Sequence, residues 1–398
     1  MHIITVTTFY PNSADPQRAV FVKHLTDALA EFSDLTVIAP VPYVPPVVTR
    51  AAWAALRAIP ALETSGRVTV WHPRYLLIPK SGIATPATYC AALLRRLKRV
   101  AEQSSRPVIH IHCAYPDGVG AALAARRLGI PYAITAHGSD INVSVGKRLY
   151  RRQIRWALQG ARAIIAVSSD LRDKVTALVG ERWASRVHHV PCAGFWPDEF
   201  AVMAQDDART AWPADDATGR AVVFIGNLVP IKGLAVLMDA WALLVREAAV
   251  SARDRLLLIG DGAMKSQLVK RSQALGIDHS VRLLGARPHS EIPRWIAGAD
   301  VLCLPSYNEG TPNVIIEALA CGRPVVASRV GGIPEVVEHS VNGVLVAPGK
   351  AGGLADALKT ALQRQWDSVV LRNAAKPFAW PELARANYEI LQQVDSIR

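Results

Sequence analysis

The stretch NEGTPNVIIEALACGRPVV, residues 308–326, carries two carboxylates eight residues apart, Glu309 and Glu317, in a run that otherwise suits burial. Burying an unpaired carboxylate costs several kcal/mol, so an acidic residue in such a run needs a partner or a task. Thr311 is a good N-cap and Pro312 is favoured at a first helical position, which predicts a helix starting near Pro312 at the end of the strand VLCLPS. The free N–H groups and positive dipole end of that helix form an anion site, and Gly310 lets the backbone come close to a phosphate. Glu309 then stands in the loop before the cap, and Glu317 lies about a turn and a half inside the helix. Carboxylates accept hydrogen bonds from vicinal hydroxyls, which ribose and sugar rings both offer. The alternative for Glu317 is a helix residue on a partly exposed face.

Three other loops hold groups of the same chemistry. GNLVPIKG (226–233) follows a strand and precedes a helix, and Lys232 is a point charge suited to a diphosphate or a plain surface lysine. IGDG (259–262), with Gly262, has the same setting and is equally explained by a tight turn. In the first half, His137 ends the strand YAITAH and opens the loop HGSDIN; Gly138 permits a sharp turn, and Asp140 is placed to cap the following N–H groups. His110 and His112 alternate on one strand face, but no carboxylate or cysteine is spaced to complete a zinc site, so no metal is expected. Asp117 either caps the next helix, the favoured reading, or touches an acceptor. Arg18 serves an acceptor or phosphate, or is a solvated loop cation. Ala19 beside it does not freely take positive φ, which argues against a phosphate contact by that loop.

Elements that position these groups alternate along the chain. Apolar runs at 2–9, 35–40, 67–71, 108–114, 132–137 and 163–168 are separated by helical patterns such as FVKHLTDALAEF, and a second series follows at 221–228, 255–262, 281–285, 301–306, 324–328 and 343–348. Strands alternating with helices predict βαβ units and a parallel sheet. The expected organisation is α/β, with two Rossmann-like doubly wound domains: 1–200, a polar linker at 201–220, and 221–375, with a C-terminal helix from 376–398 packing back on the first domain. In such sheets ligands gather at the carboxyl ends of the strands, and a cleft between two such domains is the default active site.

Length and composition agree with that plan. The 398 residues exceed one ordinary core, and 51% hydrophobic residues exclude wholesale disorder. No apolar run reaches the roughly 18 residues that span a bilayer. The start, MHIITVTTFY, reads as a first strand and not as a signal peptide. Five cysteines without metal spacing fit a reducing cytoplasm. The formal charge of +12 is one-sided: residues 1–199 hold 24 Lys+Arg against 13 Asp+Glu, and the remainder holds 21 against 20. RRLKR (95–99) and KRLYRRQIR (147–155) concentrate the excess. No nucleic-acid motif or stacking platform accompanies it, so nucleic acid is not an expected partner. Besides solvated helix faces, an anionic membrane surface or an anionic lipid-linked substrate fits, and the asymmetry favours these.

The stretch PSYNEGTPNVIIEALACGRPVVASRVGGIPEVV, with FIGNLVPIKG, IGDG, ADVLCLPS and VNGVLVAPG in order, resembles the signature of retaining glycosyltransferases of family 4, which have the GT-B fold. HIHCAYPDGVGAALAARRLGIPYAITAHGSDIN is similar to members that build exopolysaccharides, lipopolysaccharides and teichuronic-acid-like polymers. The resemblance spans about residues 1–375. It implies that Glu317 binds the ribose hydroxyls of a nucleotide sugar, that Glu309 contacts the transferred sugar, and that Lys232 faces the diphosphate. It also implies that the backbone of Gly310, Thr311 and Pro312 lies by the phosphates and sugar, that Gly226 and Gly262 line the nucleotide, and that the backbone of the turn GARP (285–288), which holds Arg287, reads the base. His137 would orient the transferred sugar. Asn227 stands where many members carry arginine, leaving Lys232 and the helix dipole more of the charge.

The function implied is metal-independent, retaining hexosyl transfer from a nucleotide-diphosphate sugar to a lipid-linked or polysaccharide acceptor in cell-surface glycan synthesis. It needs no cofactor and would take place in the cytoplasm at the inner face of the membrane. Paired glycosidase-like carboxylates and a DxD metal motif are both missing from the sequence. The alternatives are an epimerase-like GT-B enzyme or a non-catalytic nucleotide-sugar-binding subunit.

Overall fold

The computed structural model describes residues 1–48, 50–77 and 84–396. They form two compact units, Met1–Cys192 with Trp380–Arg398, and Ala193–Ala379.

The first unit is built on an eight-stranded sheet. Its strands are β1 (His2–Val6), β2 (Asp34–Ile38), β4 (Leu62–Ser65), β5 (Val68–Trp71), β7 (Pro107–His112), β8 (Tyr132–Ala136), β9 (Ala163–Ala166) and β10 (Val187–His189), while β3 (Val41–Pro42) and β6 (Arg74–Tyr75) form a separate pair. The order is β10-β9-β8-β7-β1-β2-β5-β4, and every pairing is parallel except that of β4 with β5. The central strands read as mainly apolar runs, with Thr5, His110 and His112 buried among them, because helices cover both faces of a parallel sheet. From β1 the chain builds outward through β2, then returns to lay β7 on the other side, so β1 and β7 flank a topological switch point. The helix Thr85–Glu102 shows how the basic cluster is accommodated. Tyr89, Cys90, Leu93, Leu97 and Val100 are buried along one stripe, which leaves Arg95, Lys98 and Arg99 outside it.

The second unit has six parallel strands, β11 (Ala221–Ile225), β12 (Arg255–Ile259), β13 (Val281–Gly285), β14 (Val301–Leu304), β15 (Val325–Ser328) and β16 (Gly343–Val346), in the order β13-β12-β11-β14-β15-β16. Its switch point lies between β11 and β14.

Residues 193–220 differ from the expected domain end and linker, because they belong to the second unit. Arg209, in the helix Gln205–Arg209, donates to Gly298 O and Gly219 O, both at 2.8 Å, and to Asp300 Oδ2 at 2.7 Å. Trp212 stacks on Trp295 with centroids 5.1 Å apart. The segment looks like a linker because its polar residues pair with groups far away in sequence. The final helix, Trp380–Ser396, lies on the first unit: Phe32 stacks on Tyr388, and Arg162 Nη1 donates to Val394 O at 2.8 Å.

Candidate active site

In the second unit, the loops after β11, β12, β14 and β15 meet through their backbones. Leu228 N donates to Asp261 O, and Gly226 N to Ile259 O. Gly260 takes φ 143°, and a Cβ there would lie 1.9 Å from Gly226 O. IGDG is therefore a place where two backbones touch, which a tight turn alone does not require. Gly262 follows the same rule, with a Cβ reaching within 2.5 Å of Leu228 O. Asn227 is exposed beside them.

The helix predicted from Thr311-Pro312 is Asn313–Ala320. Its N-cap position is Pro312 and not Thr311, and no side chain caps it. Proline has fixed φ and no N–H of its own, and its ψ of 122° supplies the extended cap conformation directly. Ile315 N donates to Pro312 O at 3.2 Å, which leaves the N–H groups of Asn313 and Val314 as the uncapped donors that face an anion. Glu309, in the preceding loop, accepts from Lys232 Nζ at 2.5 Å and from Ser306 Oγ at 2.6 Å. Lys232 and Glu309 thus come together across 77 residues. Gly310 O accepts from Gly332 N at 3.0 Å. A Cβ on Gly331 would stand 1.7 Å from Glu309 O, and one on Gly332 would stand 2.7 Å from Thr311 Oγ1. The glycine pair after β15 therefore shapes the loop that carries Glu309, a role that its sequence alone does not signal.

Glu317 is buried, and burial, with the charge of Glu199 adding, pushes its pKa up to about 8. His289 stands between the two carboxylates, Nδ1 3.7 Å from Glu199 and Nε2 3.9 Å from Glu317. Neither neighbour was anticipated, since both come from loops remote in sequence. The Arg287 guanidinium lies 5.6 Å from the Trp295 ring centroid and 4.0 Å from Glu291, so the side chain is engaged there while the base-reading expectation concerns the backbone of its turn.

In the first unit, the carboxyl ends of β1, β7 and β8 hold a second cluster. Asp140 accepts from the backbone N–H groups of Ala114 (2.6 Å), His137 (3.1 Å), Gly138 (2.9 Å) and Ile141 (3.1 Å). Only Ile141 follows it in sequence, so instead of capping the following N–H groups as expected, Asp140 gathers mainly preceding ones and fastens its loop to the end of β7. His137 Nε2 is 3.0 Å from His112 Nδ1, and His110 Nε2 is 2.8 Å from Thr135 Oγ1. Burial lowers the pKa of all three histidines, that of His110 to about 3, so they are neutral near pH 7. Among the described residues, no group of three or more His, Cys, Asp or Glu is placed to hold a metal ion.

Asp117 does not cap the following helix. It accepts from Thr8 N at 2.5 Å and Thr8 Oγ1 at 3.0 Å, because Thr8 presents both donors from the loop that follows β1 at the switch point. Burial raises its pKa to about 7 against the pull of those bonds. Arg18 Nε donates to Thr8 O at 2.8 Å, tying the same loop. Ala19 takes φ 45° and ψ 47°, the left-handed conformation doubted from the sequence. The turn there is of the glycine type although the residue is alanine.

Comparison with known proteins places these features in a family. The description "Glycosyltransferase Family 4" matches residues 19–193, and "Glycosyl transferases group 1" matches residues 219–364. A D-inositol 3-phosphate glycosyltransferase of Frankia alni is 32% identical over 329 residues, 75% of this chain and 78% of that protein. The TuaC glycosyltransferase of Bacillus subtilis, assigned provisionally to teichuronic acid biosynthesis, is 29% identical over 90% of this chain and 88% of its own. Among solved structures, Anabaena HepE in complex with UDP superposes with a TM-score of 0.70 at 22% identity, over 98% of this chain and 100% of that one. HepE with UDP-glucose gives a TM-score of 0.66 over 98% of this chain and 99% of its own, again at 22% identity.

Proposed function

This chain is a glycosyltransferase of family 4 with the GT-B fold, and we propose that it transfers a hexosyl group, with retention, from a nucleoside diphosphate sugar to a lipid-linked or polysaccharide acceptor in cell-surface glycan synthesis. The observation that carries this reading is the loop before Asn313–Ala320, where Glu309, Lys232 and an uncapped helix end lie together at the sheet's carboxyl edge. The UDP and UDP-glucose bound by HepE support a nucleoside diphosphate sugar as donor.

In the proposed step, the bond between the anomeric carbon and the donor's phosphate oxygen breaks as the acceptor oxygen bonds to that carbon on the same face. The acceptor's proton passes to a phosphate oxygen of the departing diphosphate. Lys232 and the free N–H groups of the helix stabilise the negative charge that develops there. Glu309 accepts from a sugar hydroxyl while holding Lys232, and Glu317 accepts from the ribose hydroxyls. The backbone of Gly226, Gly310, Thr311 and Pro312 lies along the phosphates. In the first unit, neutral His137 offers a hydrogen bond to a hydroxyl of the transferred sugar, exchanging it for the bond to His112. The step uses this chain's own residues without metal or cofactor, and it takes place at the cytoplasmic face of the membrane.

The test is turnover of a panel of nucleotide sugars with acceptor membranes. Wild type is expected to release nucleoside diphosphate, with loss of on the order of 100-fold or more in Glu309→Ala and His137→Ala. A product with inverted anomeric configuration would refute retention, and nucleotide binding without turnover would leave a binding subunit. Reversing the charges of residues 95–99 and 147–155 is expected to remove the salt-sensitive part of binding to anionic vesicles. Unchanged binding would rule those clusters out.

A further inference from the structure

Between Asp34 and Glu63 the sequence has no acidic residue, and its only charged side chains are Arg50 and Arg57. The helix Ala51–Ala58, AAWAALRA, lies in that run. A helix this apolar ordinarily buries a face. Here none of its described side chains is buried.

The exposure extends beyond the helix. Six of the fifteen large hydrophobic side chains exposed among the described residues fall between residues 43 and 77. Val47 is 85% exposed, Leu76 51%, Tyr43 50% and Trp53 36%. These side chains are presented by one fastened assembly. Tyr43 N, just after β3, donates to Tyr75 O of β6 at 2.7 Å. Arg57 Nη1 donates to Pro46 O at 3.0 Å, joining the helix to the 45–48 turn. Arg74 Nη1 donates to Leu56 O at 2.8 Å, joining β6 to the helix. Ile59, Val41 and Val44 are buried beneath and anchor the assembly to the unit. Apolar side chains gathered in this way mark an interaction surface, whereas scattered ones need no explanation.

We propose that the face carrying Tyr43, Val47, Trp53, Leu76 and Leu77 is a membrane-docking surface that inserts into the headgroup region of an anionic lipid bilayer. The charge pattern selects this occupant: the run is free of acid, and Arg50 and Arg57 stand exposed on or beside the apolar helix. Trp and Tyr are the side chains suited to the level where headgroups meet acyl chains. A second copy of the chain fits less well, because an isologous contact would set these arginines against their own counterparts with no acid between them. Among the described residues no helix is long and apolar enough to cross a membrane, so the contact is interfacial. This surface supplies a larger apolar component than the basic clusters at 95–99 and 147–155, where Leu149 is the one large hydrophobic side chain exposed among the described residues. The inference rests on the proposed membrane acceptor only for its biological purpose.

The test is co-sedimentation of the full chain with vesicles of phosphatidylglycerol and phosphatidylcholine, at low salt and at about 0.5 M salt, where charge screening is nearly complete. Wild type is expected to bind, and to keep a substantial fraction of its binding in high salt. The double variant Val47→Asp, Trp53→Asp is expected to lose about tenfold or more in vesicle affinity at both salt concentrations. Should the double variant fail to fold, Val47→Asp alone, at the most exposed position, reads the same effect. Arg148→Glu with Arg152→Glu is expected to weaken binding at low salt only. Three results would overturn the proposal: no vesicle binding by wild type, variant binding equal to wild type, or a wild-type dimer that the double variant dissolves. Donor turnover in vesicle-free solution with a soluble acceptor is measured alongside. Its absence with vesicle binding intact would defeat the transferase reading and leave the docking surface standing.

Discussion

At Glu317 the demands of folding and of the proposed donor binding oppose each other. Its pKa is about 8 in the folded chain against an ordinary 4.5, because burial and Glu199 both disfavour the charge. Between pH 4.5 and 8 the native state therefore keeps a proton that the unfolded chain gives up. Stability from this group is fully present below pH 4.5 and is lost as pH rises through 8. Glu317→Gln is expected to remove that slope, so its melting temperature relative to wild type should climb steadily from pH 5 to pH 8.5 in a calorimetric series. The same variant is expected to bind nucleoside diphosphate on the order of tenfold more weakly at pH 8.5, since an amide accepts less strongly than a carboxylate from ribose hydroxyls. Wild-type affinity should rise with pH across the same range, and a flat titration would exclude a role for ionised Glu317.

Ala19 is the second residue whose state is set from outside. Its φ of 45° is a conformation that costs a non-glycine residue about 1–2 kcal/mol. Ala19→Gly removes that strain but adds unfolded-state entropy, so it is expected to be neutral or stabilising by up to about 1 kcal/mol in chemical denaturation. Ala19→Val is expected to destabilise by about 1–2 kcal/mol or more, because a β-branched side chain tolerates positive φ least. Equal stability of the two variants would show that this turn relaxes freely.

Among the elements, the deciding feature is how closely loops at the carboxyl ends of parallel strands approach one another. The loop after β15 lies so close to the loop after β14 that Gly331 has no room for a methyl group beside Glu309 O. Gly331→Ala is expected to push that loop aside and cost on the order of 2 kcal/mol. Its effect on donor KM should exceed its effect on stability, because Glu309 moves with the loop and Lys232 loses its partner. If KM is unchanged while stability falls, the glycine serves packing alone. In the first unit the corresponding fastening is Asp140, which holds the ends of β7 and β8 through four N–H groups and so fixes where His137 begins.

The whole chain divides into two units, each with its own sheet and core. Separate cores predict separate cooperative transitions. Calorimetry is expected to resolve two, and UDP at about 100 times its dissociation constant should stabilise one of them by roughly 2.7 kcal/mol. Assigning the shifted transition to Ala193–Ala379, by hydrogen exchange, tests whether the nucleotide site lies in that unit. An equal shift of both would require a different account of donor binding.

The sequence by itself determined the elements and the chemical character of the loops. Twelve mainly apolar runs became strands because parallel sheets covered by helices bury most of their side chains, which leaves a local mark even where a Thr or His is buried among them. Pro312 located the start of a helix to within a residue because proline's fixed φ and missing N–H favour a helix's first positions, a local property, although Thr311 does not cap it. Only the tertiary structure decided the partners: Lys232 with Glu309, His289 with Glu317, His112 with His137, Thr8 with Asp117, and the attachment of residues 193–220 to the second unit. These contacts join residues from 25 to 109 positions apart, and pairs at such separations leave no periodicity along the chain. They are set by strand order and by how near the strand ends come to one another, and both exist only once the sheets have formed.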